Sequence, residues 1–71
     1  MKSGIYKHSK TGKLYKAHFS AKHSETLEDM VVYEPMYDSD IKYWVRPAKM
    51  FEEIVEIGGE KKPRFVFIKE S

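Results

Sequence analysis

Residues Leu14 to His23 alternate without a break. Tyr15, Ala17, Phe19 and Ala21 interleave with Lys16, His18, Ser20 and Lys22. A period of two predicts a strand with one apolar and one polar face. That apolar face must be covered, and the chain has little with which to cover it. Seventy-one residues make one domain, residues 1–71. A chain of this size buries only roughly 60% of its unfolded surface. With no cysteine there is neither a disulfide nor a thiolate zinc site to add stability. The core must come from the 41% hydrophobic and 14% aromatic residues, which leaves no room for a deep enclosed pocket.

The rest of the chain reads as further short strands. Gly4 to His8 is a first strand, joined to Leu14–His23 by Ser9–Lys13, where Gly12 takes the left-handed position. The polar stretch His23 to Asp29 is a loop. Met30 to Glu34 is apolar on both faces, Val31 and Tyr33 on one and Met30 and Val32 on the other, as suits a central strand. Pro35 cannot donate to a ladder and belongs at the strand end or a bulge. Asp38-Ser39-Asp40 is a turn. Tyr43-Trp44-Val45-Arg46 closes a fourth strand, Ile41 to Arg46. Pro47 bars helical geometry at Arg46, and its own φ suits a first helical position. One helical turn should follow and bring Met50 and Phe51 back to the core. Glu52–Ile57 and Arg64–Ile68 flank the Gly58-Gly59 turn signal and are predicted to pair as a terminal hairpin.

Turn signals every ten residues or so predict a mostly β fold. At this size, closing a sheet protects its edges better than stacking two. The expected architecture is a small SH3-like barrel of five or six short antiparallel strands, with one short helical turn after Pro47. Phe19, Val32, Val45, Phe51 and Phe65 are the predicted buried residues, with Trp44 partly buried. No repeat, linker or low-complexity segment stands out.

The net charge of +2 hides a segregation. Residues 1–23 carry six lysines and no acid, whereas residues 24–60 carry ten acids against Lys42, Arg46 and Lys49. Lys61, Lys62, Arg64 and Lys69 then face Glu70 alone. Such asymmetry either marks a surface for an anionic partner or lets unlike segments attract one another. No run is long enough to span a bilayer, and Met1-Lys2 opens no signal peptide. The expectation is a soluble cytoplasmic protein without membrane contact.

Several segments resemble a known family in one order: Tyr6-x-His8, Gly12–Tyr15, Ala21-x-His23-Ser24-Glu25-Thr26, Val31-Val32-Tyr33, Trp44-Val45-Arg46-Pro47-x-x-Met50-Phe51 and Pro63-Arg64-Phe65. They are similar to a small bacterial family called domain of unknown function number sixteen fifty-three. The resemblance covers nearly the whole chain and implies an SH3-like barrel. It implies no activity. Two departures stand out. The Ser9–Lys13 turn is one residue longer than the family pattern, and Glu34-Pro35 replaces a basic and a small apolar residue.

Three chemistries can be weighed from the residues. Ser24 beside His23 with Glu25 could form a small hydrolase centre, but neighbours on an extended chain point apart and no nucleophile elbow surrounds the serine. His8, His18, His23 and Glu25 are ligand types for zinc, yet they form no recognised motif. No catalytic residue, metal site or cofactor is therefore assigned. A binding or adaptor surface fits best. Trp44 beside Arg46 suits a partner offering an apolar face and an anion, and the loop His23, Ser24, Glu25 and Thr26 is a second candidate contact. If the first strand lies beside the last, Lys13, Lys61, Lys62 and Arg64 form a patch for a polyanion, binding nucleic acid weakly and without sequence preference. A protein segment is the other candidate ligand. A structural subunit pairing through barrel edges is the alternative reading.

Overall fold

The computed structural model describes Met1–Ser71. Seven strands and one helical turn follow in order: β1 (Gly4–His8), β2 (Leu14–Lys22), β3 (Asp29–Pro35), β4 (Trp44–Pro47), α1 (Ala48–Phe51), β5 (Ile54–Ile57), β6 (Glu60–Pro63) and β7 (Phe65–Lys69). Five strands form one sheet in the order β4-β3-β2-β1-β7, and β5 and β6 form a separate two-stranded ribbon. All pairings are antiparallel. The mostly β fold with its helical turn after Pro47 is as read from the sequence. The sheet is open rather than a closed barrel, and β4 and β7 are its edges.

The expected terminal hairpin forms with a different partner. Gly58 and Gly59 have φ of 60° and 83°, the pair of positive angles that a tight two-residue hairpin turn requires. The turn therefore pairs Ile57 with Glu60 and Ile54 with Pro63. Glu60–Pro63, read as loop, becomes β6. Phe65–Lys69 is released to pair with β1, His8 opposite Phe65. The first and last strands of the sheet are thus neighbours, as anticipated.

The largest correction concerns β2. Ala17 pairs with Tyr33, but Phe19 pairs with Val32. His18 is an extra residue on β2, a bulge that reverses the facing of everything beyond it. Ala17 is buried and Phe19 is 58% exposed, although both are odd-numbered. Val32 in turn pairs with Val45, which is 61% exposed. Phe19, Val32 and Val45, three residues predicted as core, are one in-register row on the outer face. Val31 and Tyr33, on the face opposite Val32, are the residues of β3 that are buried.

The core is aromatic. Tyr6, Ala17, Val31, Tyr33, Phe51 and Phe65 form one cluster. Phe51 and Phe65 stack with ring centroids 4.2 Å apart and planes 7° from parallel. Tyr6 and Tyr33 meet the Phe51 ring edge-on at 5.1 and 5.6 Å. Pro47 has φ −53° and ψ 136°, so it ends the strand as N-cap rather than opening the helix. The single turn that follows exists to return Phe51 to the sheet, because four residues are too few to be stable alone.

Two loops share one construction, a short recurrence that the sequence reading passed over. They are His8-Ser9-Lys10-Thr11-Gly12-Lys13 and His23-Ser24-Glu25-Thr26-Leu27-Glu28. The fifth residue donates to the histidine carbonyl, Gly12 at 2.7 Å and Leu27 at 2.8 Å, and the histidine N–H donates to the carbonyl of Lys13 or Glu28. Each histidine Nδ1 accepts from the next two backbone donors but one, Lys10 and Thr11 or Glu25 and Thr26. Thr11 and Thr26 accept from Lys13 and Glu28. Gly12 has φ 77° and Leu27 has φ 61°.

Candidate functional site

The site is built around the first of these loops. Ser9 N–H donates to the Arg64 carbonyl at 2.9 Å, and Ser9 Oγ donates to the Pro63 carbonyl. These bonds hold the His8 loop against the β6–β7 junction. His8 packs edge-on to Phe65 at 5.0 Å. On the other side Trp44 pairs with Tyr33 at the start of β4. Between them lies a cleft of about 190 Å³ with walls of Tyr15, Tyr33, Tyr37, Trp44 and Phe65. Arg46 completes its wall. Its Nε donates to the Tyr33 hydroxyl at 3.3 Å, and its guanidinium sits 5.7 Å from the Phe65 ring centre.

His8 also borders a second cavity of about 420 Å³, with Lys10, Glu56 and Arg64 in its walls. One Arg64 terminal nitrogen reaches Glu53 at 3.5 Å, and its Nε is buried without a hydrogen-bond partner. Burial pushes the His8 pKa down, and Arg46, Arg64 and Lys10 push it further the same way. The imidazole thus reports a concentration of positive charge at the junction of the two cavities. Because Nδ1 accepts from the loop, the proton of the neutral ring is on Nε2. Tyr15 donates to or accepts from Tyr37 at 3.1 Å, and burial followed by that bond pushes its pKa up to about 12. It is a neutral phenol and cannot serve as a base at ordinary pH.

Trp44 and Arg46 are brought together as the sequence suggested, Trp44 43% exposed at the rim. The loop His23, Ser24, Glu25 and Thr26 lies elsewhere. It precedes Asp29, near the Met30–Pro47 end of the β3–β4 ladder, whereas Trp44 is at the Tyr33 end. His23 Nδ1 faces its own loop, which gives the histidine a turn-forming task and separates it from Ser24 chemistry. The basic residues divide. Arg64 lines the larger cavity. The Lys13 ammonium sits 4.5 Å over the Tyr37 ring, beside the cleft. Lys61 and Lys62 are on the ribbon, and Lys62 pairs with Glu60 at 3.4 Å. Lys62 also meets Lys7 across a depression floored by Val66 and Ile68. His18 is engaged by Glu34 at 2.6 Å, so the unusual acid after β3's apolar run holds the bulge residue.

Sequence reasoning weighed His8 only as a base or ligand. The recurrence of His-Ser-x-Thr was the signal that could have singled out the His8 loop.

A small open-sheet β protein with an aromatic cleft around an arginine is the class these features define. The family described as "Protein of unknown function (DUF1653)" matches residues 4–67, and the chain belongs to it. The fold is similar to a crystal structure of a DUF1653 protein from Bordetella bronchiseptica, with TM-score 0.91 and 30% identity over 100% of this chain and 91% of that one. No curated protein matches the chain. No helix is long and apolar enough to cross a membrane.

Proposed function

We propose that the protein is a non-catalytic binding module of the cytoplasm, a single folded unit that takes an anionic ligand carrying a planar ring. Single-stranded nucleic acid is the ligand class that fits. The observation that carries this reading is that Arg46 and five aromatic side chains line one cleft. Aromatic faces stack on bases of any identity, and a guanidinium among them pairs with phosphate. Lys13 and Arg64 flank the cleft, and Lys61 and Lys62 extend the basic field along the ribbon. The acidic middle of the chain limits that field, so affinity belongs in the non-specific range, Kd about 10⁻⁴–10⁻⁶ M.

The test is a titration of a hexathymidylate at low ionic strength. Binding should weaken steeply with added salt, as counterion release requires. Trp44→Ala and Arg46→Ala should each weaken it, and exchanging Lys13, Lys61 and Lys62 for Glu should abolish it. No binding at low salt, or equal binding by all variants, overturns the reading.

A second reading rests on the outer row Phe19, Val32 and Val45 beside the free edge β4. Exposed apolar faces next to unpaired edges support pairing with another chain. Here the readout is sedimentation velocity across concentration, and a monomer throughout would remove this alternative.

A further inference from the structure

The two cavities meet at one side chain, and that junction defines what kind of anion fits. His8 borders both cavities. Its Nδ1 is committed to Lys10 and Thr11, so Nε2–H is its remaining donor. Arg46 approaches from β4, Arg64 from the β6–β7 junction, and Lys10 from the loop itself. Against these three cations stand Glu53, which engages Arg64 at 3.5 Å, and Glu56 in the wall of the larger cavity. Tyr15, on β2, stays neutral. The junction therefore keeps an excess of positive charge, contributed by different elements.

Resting on the cleft reading above, we propose that the ligand's anion is a terminal phosphomonoester seated at His8 between Arg46 and Arg64, with the adjoining base in the aromatic lobe. The protein then binds a phosphorylated strand end or nucleotide in preference to the interior of a strand. A terminal phosphate carries about −1.5 to −2 charges at pH 7 and three strong acceptor oxygens. A bridging phosphate offers one charge and two free oxygens, too little for a site with three cations and the His8 donor. The aromatic lobe, at about 190 Å³, is the size of one ring system. The second His-Ser-x-Thr loop serves as an internal contrast. His23 is held in the same way, but Glu25 and Glu28 stand where the first loop has Lys10 and Lys13, and Asp29 follows. The same device with acidic surroundings repels an anion.

Isothermal titrations at low ionic strength would compare four probes: hexathymidylate with a 5′-phosphate, with a 3′-phosphate, and with hydroxyl ends, and thymidine 5′-monophosphate. At least one phosphorylated strand should bind about tenfold or more tightly than the hydroxyl-ended one, the increment expected of charge-assisted bonds. His8→Asn keeps an acceptor for the loop amides and removes Nε2–H. It and Arg64→Gln should erase the phosphate advantage, each variant binding phosphorylated and hydroxyl-ended strands with equal affinity. His23→Asn should change neither affinity. If the monophosphate matches the strand, the ligand is a nucleotide, and if the strand binds better, it is a strand end. Equal binding of phosphorylated and hydroxyl-ended strands overturns end recognition and leaves the cleft reading standing. Absence of binding by every probe overturns both.

Discussion

Single residues carry most of the tension in this protein. His8 accepts two backbone hydrogen bonds at Nδ1, so protonation would set a third donor against two others. Burial and the neighbouring Arg46, Arg64 and Lys10 already hold its pKa below the ordinary value of 6.5. Below that pH the unfolded chain takes up a proton that the native chain refuses. Stability is therefore full above the ordinary value and is lost as pH falls toward and through the lower folded value. Urea midpoints should fall between about pH 7 and pH 5.5, and His8→Asn should flatten that part of the profile. An identical fall in the variant would mean that another group is responsible. Leu27 shows a different strain. It holds φ 61° where the matching loop has Gly12, and its side chain is 67% exposed. A left-handed leucine with little packing to offset it is unfavourable. Leu27→Gly should raise stability by about 0.5–1 kcal/mol in denaturant titrations. A lower midpoint would show that the leucine side chain contributes more than its backbone costs.

At the scale of elements, α1 and the bulge in β2 do the organising. α1 is four residues long and buries one of them, Phe51, which is 1% exposed and stacked on Phe65. Phe51→Ala leaves a void between Tyr6, Tyr33 and Phe65. It should cost about 3–5 kcal/mol, a large share of the roughly 5–15 kcal/mol that folded domains possess. A melting midpoint equal to wild type would contradict the packing described. The bulge at His18 lets β2 serve two surfaces. Its first half gives Tyr15 and Ala17 to the core side, and its second half turns Phe19 outward. Glu34 binds the bulged histidine at 2.6 Å and Tyr43 packs on its ring at 5.7 Å, which fixes the irregularity in place.

The whole molecule is a sheet with one aromatic face covered by α1 and one face left open. The open face explains why the outer row can be changed cheaply. Val45→Lys should alter stability by no more than about 0.5 kcal/mol, the range of ordinary surface changes. The same change at Val31, which is completely buried, should prevent folding, because a lone buried cation has no partner there. Equal effects at both positions would invert the two faces. The covered side carries the cleft, so the charge segregation of the chain acquires a place in space. Basic residues from the first loop, β4 and the β6–β7 junction, Lys10, Arg46 and Arg64, converge on His8, although they are far apart in sequence.

Local chemistry alone determined a good deal. Gly12 marks a turn, the Leu14–Lys22 pattern is a strand, and Pro47 stops a strand and precedes a single helical turn ending in Phe51. That Trp44 and Arg46 share one short strand was also legible. Partner choice was not. Gly58-Gly59 announced a hairpin, but which downstream residues would fill it depended on whether β1 needed β7. The bulge at His18 leaves no local mark, since an extra residue is defined only against the strand opposite. That one residue decided whether Phe19, Val32 and Val45 faced core or water. His8 likewise had only the His-Ser-x-Thr recurrence to mark it until β7 placed Phe65 beside it and the fold brought in Arg46 and Arg64. Side-chain period and turn chemistry act over a few residues and are written in the sequence. Register and convergence are sums of contacts between distant segments, and only the assembled sheet settles them.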